Sequence, residues 1–368
     1  MPIGKRRPEI SVSVNMAMRD LPWGQYLRTE KDAVIKAYEQ EITSLLSTVL
    51  KEIKPGDPEF EEARRSATRC RAILEIKRQG VFKARVVVRG DTEDKEKLDG
   101  PDFNYASDVV GLAAVRAIMF GPRQPGDVVA SVDISTAYLQ SDLFGPDEPP
   151  RYLVLKDPVS GQTRYFRQLG VVYGSASSAV RWMNTLHPFL VSIGFQQGKN
   201  EPCVFRHPKL GVTIASYVDD LLLTGPEQAV RMVLEVIGER FKCKEPTFLA
   251  PGTPLDHLGM VFFETDEGRF VSMQSYIDAM LTRLDMADVK THGVKVPISQ
   301  PITDLTPASQ EEGKFLLRAC GMLGWLAGTV RIDLRYCIPL QNRTTHGQPH
   351  SGRGQGSATG HSVLRCYA

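Results

Sequence analysis

The sequence predicts an α+β fold built on a split βαβ sheet, and three observations carry that prediction. An apolar run, Val128–Val132, ends at Asp133. Two further apolar runs, Val212–Ser216 and Leu221–Leu223, flank Tyr217-Val218-Asp219-Asp220 and read as a β-hairpin. Helical periodicity lies between these segments and again after them, so the order is β-α-β-β-α-β. In that topology the first and third strands are antiparallel neighbours. Asp133 then converges with Asp219 and Asp220 at one edge of the sheet.

Taken in chain order, residues 1–30 read as disordered. Val34, Ile35, Tyr38, Ile42, Leu45, Leu46, Val49 and Ile53 share one helical face, which predicts an amphipathic helix over 32–53 stopped by Pro55-Gly56. Strands follow at roughly 71–89, then a helix over Ser107–Phe120. After the strand that ends at Asp133, residues 144–168 are irregular, with strand-like pieces at Tyr152–Leu155 and Arg164–Phe166. Val180, Met183, Leu186, Leu190 and Ile193 predict a helix near 175–193 with Pro188 as a kink point. Pro226 opens a helix whose Val230, Val233, Leu234, Ile237 and Phe241 fall on one face. The segment 257–264 is the expected last strand of the split sheet. Helices are expected over 275–286 and over Phe315–Val330. From about Pro339 the chain is rich in Gly, Ser, Thr, Gln and His and holds no acid, so 339–368 reads as a disordered tail.

Composition bounds the function. At 368 residues the chain can bury a substantial core, and 42% hydrophobic content is ordinary for a globular protein. The net charge of +2 does not by itself point to nucleic acid. Its distribution is more informative: Lys77, Arg78, Lys83, Arg85 and Arg89 come with no acid between them. Such a strip can neutralise phosphates, although lysines on a strand edge also serve to block unwanted pairing. Six scattered cysteines form no C-x-x-C pair and no zinc spacing, which suits a reducing, intracellular compartment. No long apolar segment predicts a membrane span.

The acids carry the chemistry. Like charges as close as Asp219 and Asp220 resist ionising together. A solvated turn accommodates that repulsion, because Asp is common in turns. A third carboxylate, Asp133, at the end of a separate strand points instead to hard oxygen ligands for Mg²⁺. A two-metal site built on such carboxylates holds its ions about 3.5–4 Å apart and stabilises both the attacking and the leaving oxygens of phosphoryl transfer.

The motifs resemble the reverse transcriptase domain of copia-type LTR retrotransposon Pol polyproteins, over about Arg71 to Cys337. Lys83–Gly90 is similar to the family's basic fingers segment. Val132–Leu139 is similar to its first catalytic motif, and Tyr173-Gly174, with Trp182 beyond, to its template- and nucleotide-side motif. Tyr217–Asp220 is similar to its catalytic hairpin. His257-Leu258-Gly259 and Gln274–Tyr276 resemble its primer grip and the start of its thumb. The resemblance implies a right-hand polymerase: fingers at about 31–106, palm at about 107–265, thumb and the start of a connection at about 266–338.

It implies an RNA-directed DNA polymerase that uses an RNA or DNA template with a primer, dNTPs and two Mg²⁺ ions, with Mn²⁺ as a substitute. Asp133 and Asp219 would be direct ligands of both ions, with Asp220 balancing charge or binding at the periphery. Tyr138 would sit under the incoming sugar and exclude a 2′-hydroxyl. Lys83 or Arg85 would grip the triphosphate, Tyr173 would line the nucleotide pocket, and Gly174 would let the backbone approach nucleotide or template. Lys244 would protonate the leaving pyrophosphate, with Lys242 as the competing assignment. Ser175–Ala179 departs from the family's Leu-Lys-Gln-Ala-Pro, losing a cation and a proline. Nothing after Pro339 supplies a ribonuclease H carboxylate cluster. A truncated, catalytically inactive nucleic-acid-binding relic is therefore the alternative. A nucleotide cyclase would need neither the basic strip nor the thumb-like helix.

Overall fold

The computed structural model describes residues 21–76, 80–287, 306–307, 309–336 and 350–351. Lys77, Arg78, the expected disorder over 1–20 and nearly all of the tail lie outside them. The elements are α1 (Trp23–Thr29), α2 (Lys31–Thr48), β1 (Leu50–Ile53), α3 (Phe60–Ser66), β2 (Thr68–Ile76), β3 (Phe82–Val88), α4 (Lys95–Asp99), α5 (Leu112–Phe120), β4 (Asp127–Asp133), β5 (Arg151–Lys156), β6 (Thr163–Gln168) and α6 (Ser178–Ser192). They continue with β7 (Gln196–Gln197), β8 (Val204–Arg206), β9 (Thr213–Tyr217), β10 (Asp220–Pro226), α7 (Glu227–Arg240), β11 (Thr247–Phe248), β12 (Leu255–His257), β13 (Met260–Thr265), β14 (Gly268–Ser272), α8 (Gln274–Arg283), β15 (Thr306–Pro307), α9 (Gln310–Thr329) and β16 (His350–Ser351). The chain divides into two compact units, one of Ala17–Leu249 and one that runs from Ala250 onward.

The first unit holds two sheets. One has the order β1-β6-β5-β2-β3, all antiparallel except the β2–β5 pair. Its core joins Tyr38, Ile42 and Leu45 of α2 to Ala84, Val86 and Val88 of β3 and to Leu153, Leu155 and Phe166. The α2 stripe is thus buried much as its spacing predicts, although Leu46 stays 36% exposed. The helix ends at Thr48, five residues before the expected end. Leu50 and Ile53 fit a helical i, i+3 face, but their backbone pairs with β6, and sheet pairing prevails over local periodicity. Residues 21–30 are not disordered: α1 lies there, and the Trp23 Nε1–H donates to the Ala72 carbonyl at 3.0 Å.

The second sheet has the order β11-β4-β10-β9-β8-β7. Its β4, β10, β9 and β11 strands, with α6 and α7 as crossovers, make the split βαβ arrangement. Leu221 and Leu223 of β10 share a buried cluster with Trp182, Leu186 and Leu190 of α6 and with Val230, Val233 and Ile237 of α7. Leu222 and its partner Ala215, both fully buried, lie on the opposite face, where α5 runs against β9 and β10. Burial on both faces explains why Leu221–Leu223 is continuously apolar rather than alternating.

One strand expectation is corrected. The segment at 257–264 is not the last strand of this sheet. That place belongs to the two-residue β11, which pairs with Ser131 and Ala130 of β4. Strands β12, β13 and β14 form a separate three-stranded antiparallel sheet in the second unit. In that unit α9 opens on a capping box of Ser309 and Glu312, and the Tyr276 hydroxyl donates to the Met322 carbonyl at 3.0 Å, joining α8 to α9. No helix among the described residues is long and apolar enough to cross a membrane.

Candidate active site

The antiparallel register of β4 and β10 sets Asp220 opposite Asp133. Tyr217 and Asp220 close the hairpin, leaving Val218 and Asp219 as its two turn residues. The Ile134 N–H donates to the Asp219 carbonyl at 2.7 Å, so the turn is stitched onto the end of β4. Val218 has φ +55°. A β-branched residue in that region is strained, by about 1–3 kcal/mol, and persists only where its surroundings hold it. The restraint is visible: the buried Trp182 donates its Nε1–H to the Val218 carbonyl at 2.7 Å. Trp182 lies in the core, 2% exposed, and no sequence pattern signals this hydrogen bond.

The carboxylates are electrostatically coupled. Burial raises the Asp219 pKa above the usual carboxylate range, and the nearby Asp133 charge raises it further. Lys244 and Arg85 act in the opposite direction. The Lys244 ammonium lies 2.8 Å from Asp133 Oδ2, and the Lys244 N–H donates to the Asp133 carbonyl at 2.9 Å. The competing Lys242 is tied through its backbone to Gln140 and Ser135. Two hard-oxygen carboxylates, with Asp133 already drawing an ammonium, are a donor set suited to a divalent cation. Among the described residues no group of three or more His, Cys, Asp or Glu is gathered closely enough to hold a metal ion.

Tyr138 follows β4 in a short 3₁₀ turn, Ala137–Gln140, that opens on Thr136 at φ +53°. It is half-buried, meets the Tyr173 ring edge-on at 6.1 Å, and its hydroxyl pKa is raised by burial and by the Asp219 charge. The Arg85 guanidinium lies 5.9 Å from the Tyr173 ring centre. Burial raises the Tyr173 pKa, followed by the negative charges of Glu41, Asp219 and Asp133. Arg85, Tyr173, Tyr138 and the carboxylates therefore form one connected wall. Lys83 lies on the same strand, opposite Glu75.

Gly174 is explained by its own chain. It has φ +84°, and a Cβ there would meet the Val88 carbonyl oxygen at 2.3 Å. The close approach that requires glycine is thus to β3, where the Val88 N–H donates to Tyr173 and the Gly90 N–H to Gly174. At Ser175–Ala179, Ser177 Oγ is buried without a hydrogen-bond partner, but its neighbours are tied in. Ser178 Oγ donates to the Val172 carbonyl, Gln168 donates to Ser175 Oγ, and the Ala176 N–H donates to Glu93.

The chain is similar to known proteins over much of its length. A family model described as "Reverse transcriptase (RNA-dependent DNA polymerase)" matches residues 70–300. The Transposon Ty1-LR2, Ty1-ML2 and Ty1-ER1 Gag-Pol polyproteins of Saccharomyces cerevisiae (strain ATCC 204508 / S288c) are each 26% identical over 224 residues, 58% of this chain. The chain spans 12% of the length of those relatives. Among solved structures, an apo telomerase from Candida tropicalis truncated from its C-terminal domain aligns with a TM-score of 0.38 and 11% identity, covering 62% of this chain and 58% of its own. A Candida albicans telomerase in complex with a TWJ fragment of telomeric RNA aligns with a TM-score of 0.39 and 10% identity, covering 89% of this chain and 67% of its own. Because the matched span takes in β4, the Asp219–Asp220 hairpin and most of the strands around them, this chain belongs to the reverse transcriptase (RNA-dependent DNA polymerase) family.

Proposed function

We propose that the chain is the polymerising domain of a retrotransposon Pol polyprotein, extending a primer on an RNA or DNA template with dNTPs. The observation that carries this reading is the register that sets Asp133 beside the strained Val218–Asp219 turn. Asp133 and Asp219 would hold divalent cations, Mg²⁺ or Mn²⁺, with Asp220 balancing charge from the next position. When bound, the ions supply Lewis-acid stabilisation of the attacking and leaving oxygens.

The protein's own groups do the rest. Arg85 offers a planar fork matched to phosphate oxygens, and its charge already reaches Asp219. That favours Arg85 over Lys83 as the triphosphate contact. Tyr138, held edge-on by Tyr173, forms a rigid wall against the sugar and selects deoxynucleotides by its bulk. Lys244 holds its proton beside Asp133, near where pyrophosphate would depart. The 31–106 segment serves as fingers and the 107–249 segment as palm, and the thumb lies within the second unit.

The test is primer extension on poly(rA)/oligo(dT) with Mg²⁺ and dTTP, wild type beside Asp219→Asn. Incorporation should fall by about 10²-fold or more in the variant, as on removal of a group that stabilises transition-state charge. Salt-sensitive primer–template binding without incorporation by either protein would replace this reading with that of a folded, inactive relic.

A further inference from the structure

Strand β3 is the outer strand of its sheet, paired with β2 on one side only. Its outward N–H groups therefore need acceptors from elsewhere. The Val88 N–H is met by the Tyr173 carbonyl, and just beyond the strand the Gly90 N–H by that of Gly174. The Val86 N–H, between the positions of Arg85 and Val87, is met by a carboxylate, Glu41 Oε1 of α2, at 3.0 Å. A carboxylate is an expensive choice for this task. Burial pushes its pKa up, Lys83 and Arg85 pull it back down, and Glu75 pushes it up again. Glu75 Oε1 also lies 3.8 Å from an Arg85 nitrogen. Two acids thus offset Arg85, the cation proposed to meet the triphosphate, and its neighbour Lys83, and the charge of Glu41 extends to Tyr173.

We propose that Glu41 is a positioning residue that sets nucleotide affinity: its carboxylate fixes the Lys83–Arg85 edge through Val86, and its charge weakens that edge's hold on triphosphate and pyrophosphate alike. The inference rests on the polymerase reading of the same site. An undamped pair of cations would bind nucleotide and product more tightly together. Such uniform binding lowers KM without raising kcat and retains pyrophosphate. A fixed anion behind the cations relieves both ligands equally, whereas a neutral acceptor would fix the strand without this effect.

The experiment compares wild type, Glu41→Gln and Glu41→Ala in the full chain. It measures KM and kcat for dTTP, inhibition by pyrophosphate and the thermal midpoint. The glutamine keeps an oxygen for the Val86 N–H and removes the charge. Its KM for dTTP and its pyrophosphate inhibition constant should fall together, roughly three- to tenfold, while kcat does not rise. The alanine loses the acceptor and should lower the thermal midpoint and raise KM. A glutamine variant with both constants unchanged, or raised as in the alanine, would show Glu41 to be a strand cap only and overturn the inference. If wild type incorporates nothing, the polymerase reading fails by itself. Equilibrium binding of inorganic triphosphate then decides the charge effect: tighter binding to Glu41→Gln upholds it, and equal binding overturns it.

Discussion

Trp182→Phe tests whether the hairpin turn is held from below. The substitution keeps an aromatic ring in the buried cluster with Phe241, which Trp182 meets edge-on at 5.3 Å, but removes the Nε1–H that binds the Val218 carbonyl. Leaving that carbonyl without its donor costs about 1–3 kcal/mol. The smaller ring leaves unfilled volume at a position only 2% exposed, adding about 1 kcal/mol. The sum, about 2–4 kcal/mol, is comparable to the strain stored at Val218, so the turn is free to relax away from φ +55°. Urea unfolding should show the stability loss with an unchanged m-value. Single-turnover dTTP incorporation should fall about ten- to hundredfold as Asp219 leaves its place relative to Asp133. A variant within about 0.5 kcal/mol of wild type and with full incorporation would refute the argument, because the hydrogen bond would then restrain nothing.

Two further predictions concern charge. Arg151 and Asp99 are each 3% exposed at the side chain and are joined at 2.7 Å, with Arg181 on the same carboxylate at 3.1 Å. Arg151→Met should cost roughly 3–5 kcal/mol in denaturant unfolding. Burial alone would raise the Asp99 pKa, but the hydrogen bonds from Arg151, Tyr105 and Arg181 outweigh it and hold the group below its ordinary range. Its contribution is therefore present above the unfolded carboxyl pKa of about 3.9 and lost as pH falls through the folded value. The gap between wild type and variant should narrow in that acid window, and a gap constant from neutral pH into it would contradict the assignment. Lys244→Gln removes the ammonium from Asp133 Oδ2; its side chain is 63% exposed, so stability should change by no more than about 1 kcal/mol. The Mg²⁺ concentration giving half-maximal incorporation should fall, because ion and ammonium compete for one oxygen. An unaltered Mg²⁺ titration would show that they do not.

The central juxtaposition was legible because sheet geometry leaves little choice. An apolar strand ending in Asp133 and an apolar hairpin with Asp219 and Asp220 at its tip, with amphipathic helices between and after them, can bury their faces in few ways. The split βαβ order then brings Asp133 and Asp220 opposite each other. The misreadings occurred where local pattern underdetermines pairing. Leu50 and Ile53 satisfy a helix and a strand equally, and β6 decided between them. The two-residue β11 is too short to leave a periodic signal, so the longer run at 257–264 took its place in the sequence reading.

Electrostatic second partners leave still less trace. Glu41 lies on α2 among polar neighbours, where a carboxylate ordinarily signals solvent, and it is an acceptor only because β3 is the sheet's outer strand. No spacing rule connects residue 41 to residue 86. The same holds for Trp182 and Val218, 36 residues apart, and for Arg151 and Asp99, 52 apart. Period-2 and period-3.6 patterns report which face of an element is apolar, and they placed the carboxylates. They are silent about which polar atom meets an unpaired backbone group, because that depends on which strand lies at an edge and which turn is strained. The groups proposed to tune this site are for that reason hidden in a sequence that does show Asp133 facing Asp220.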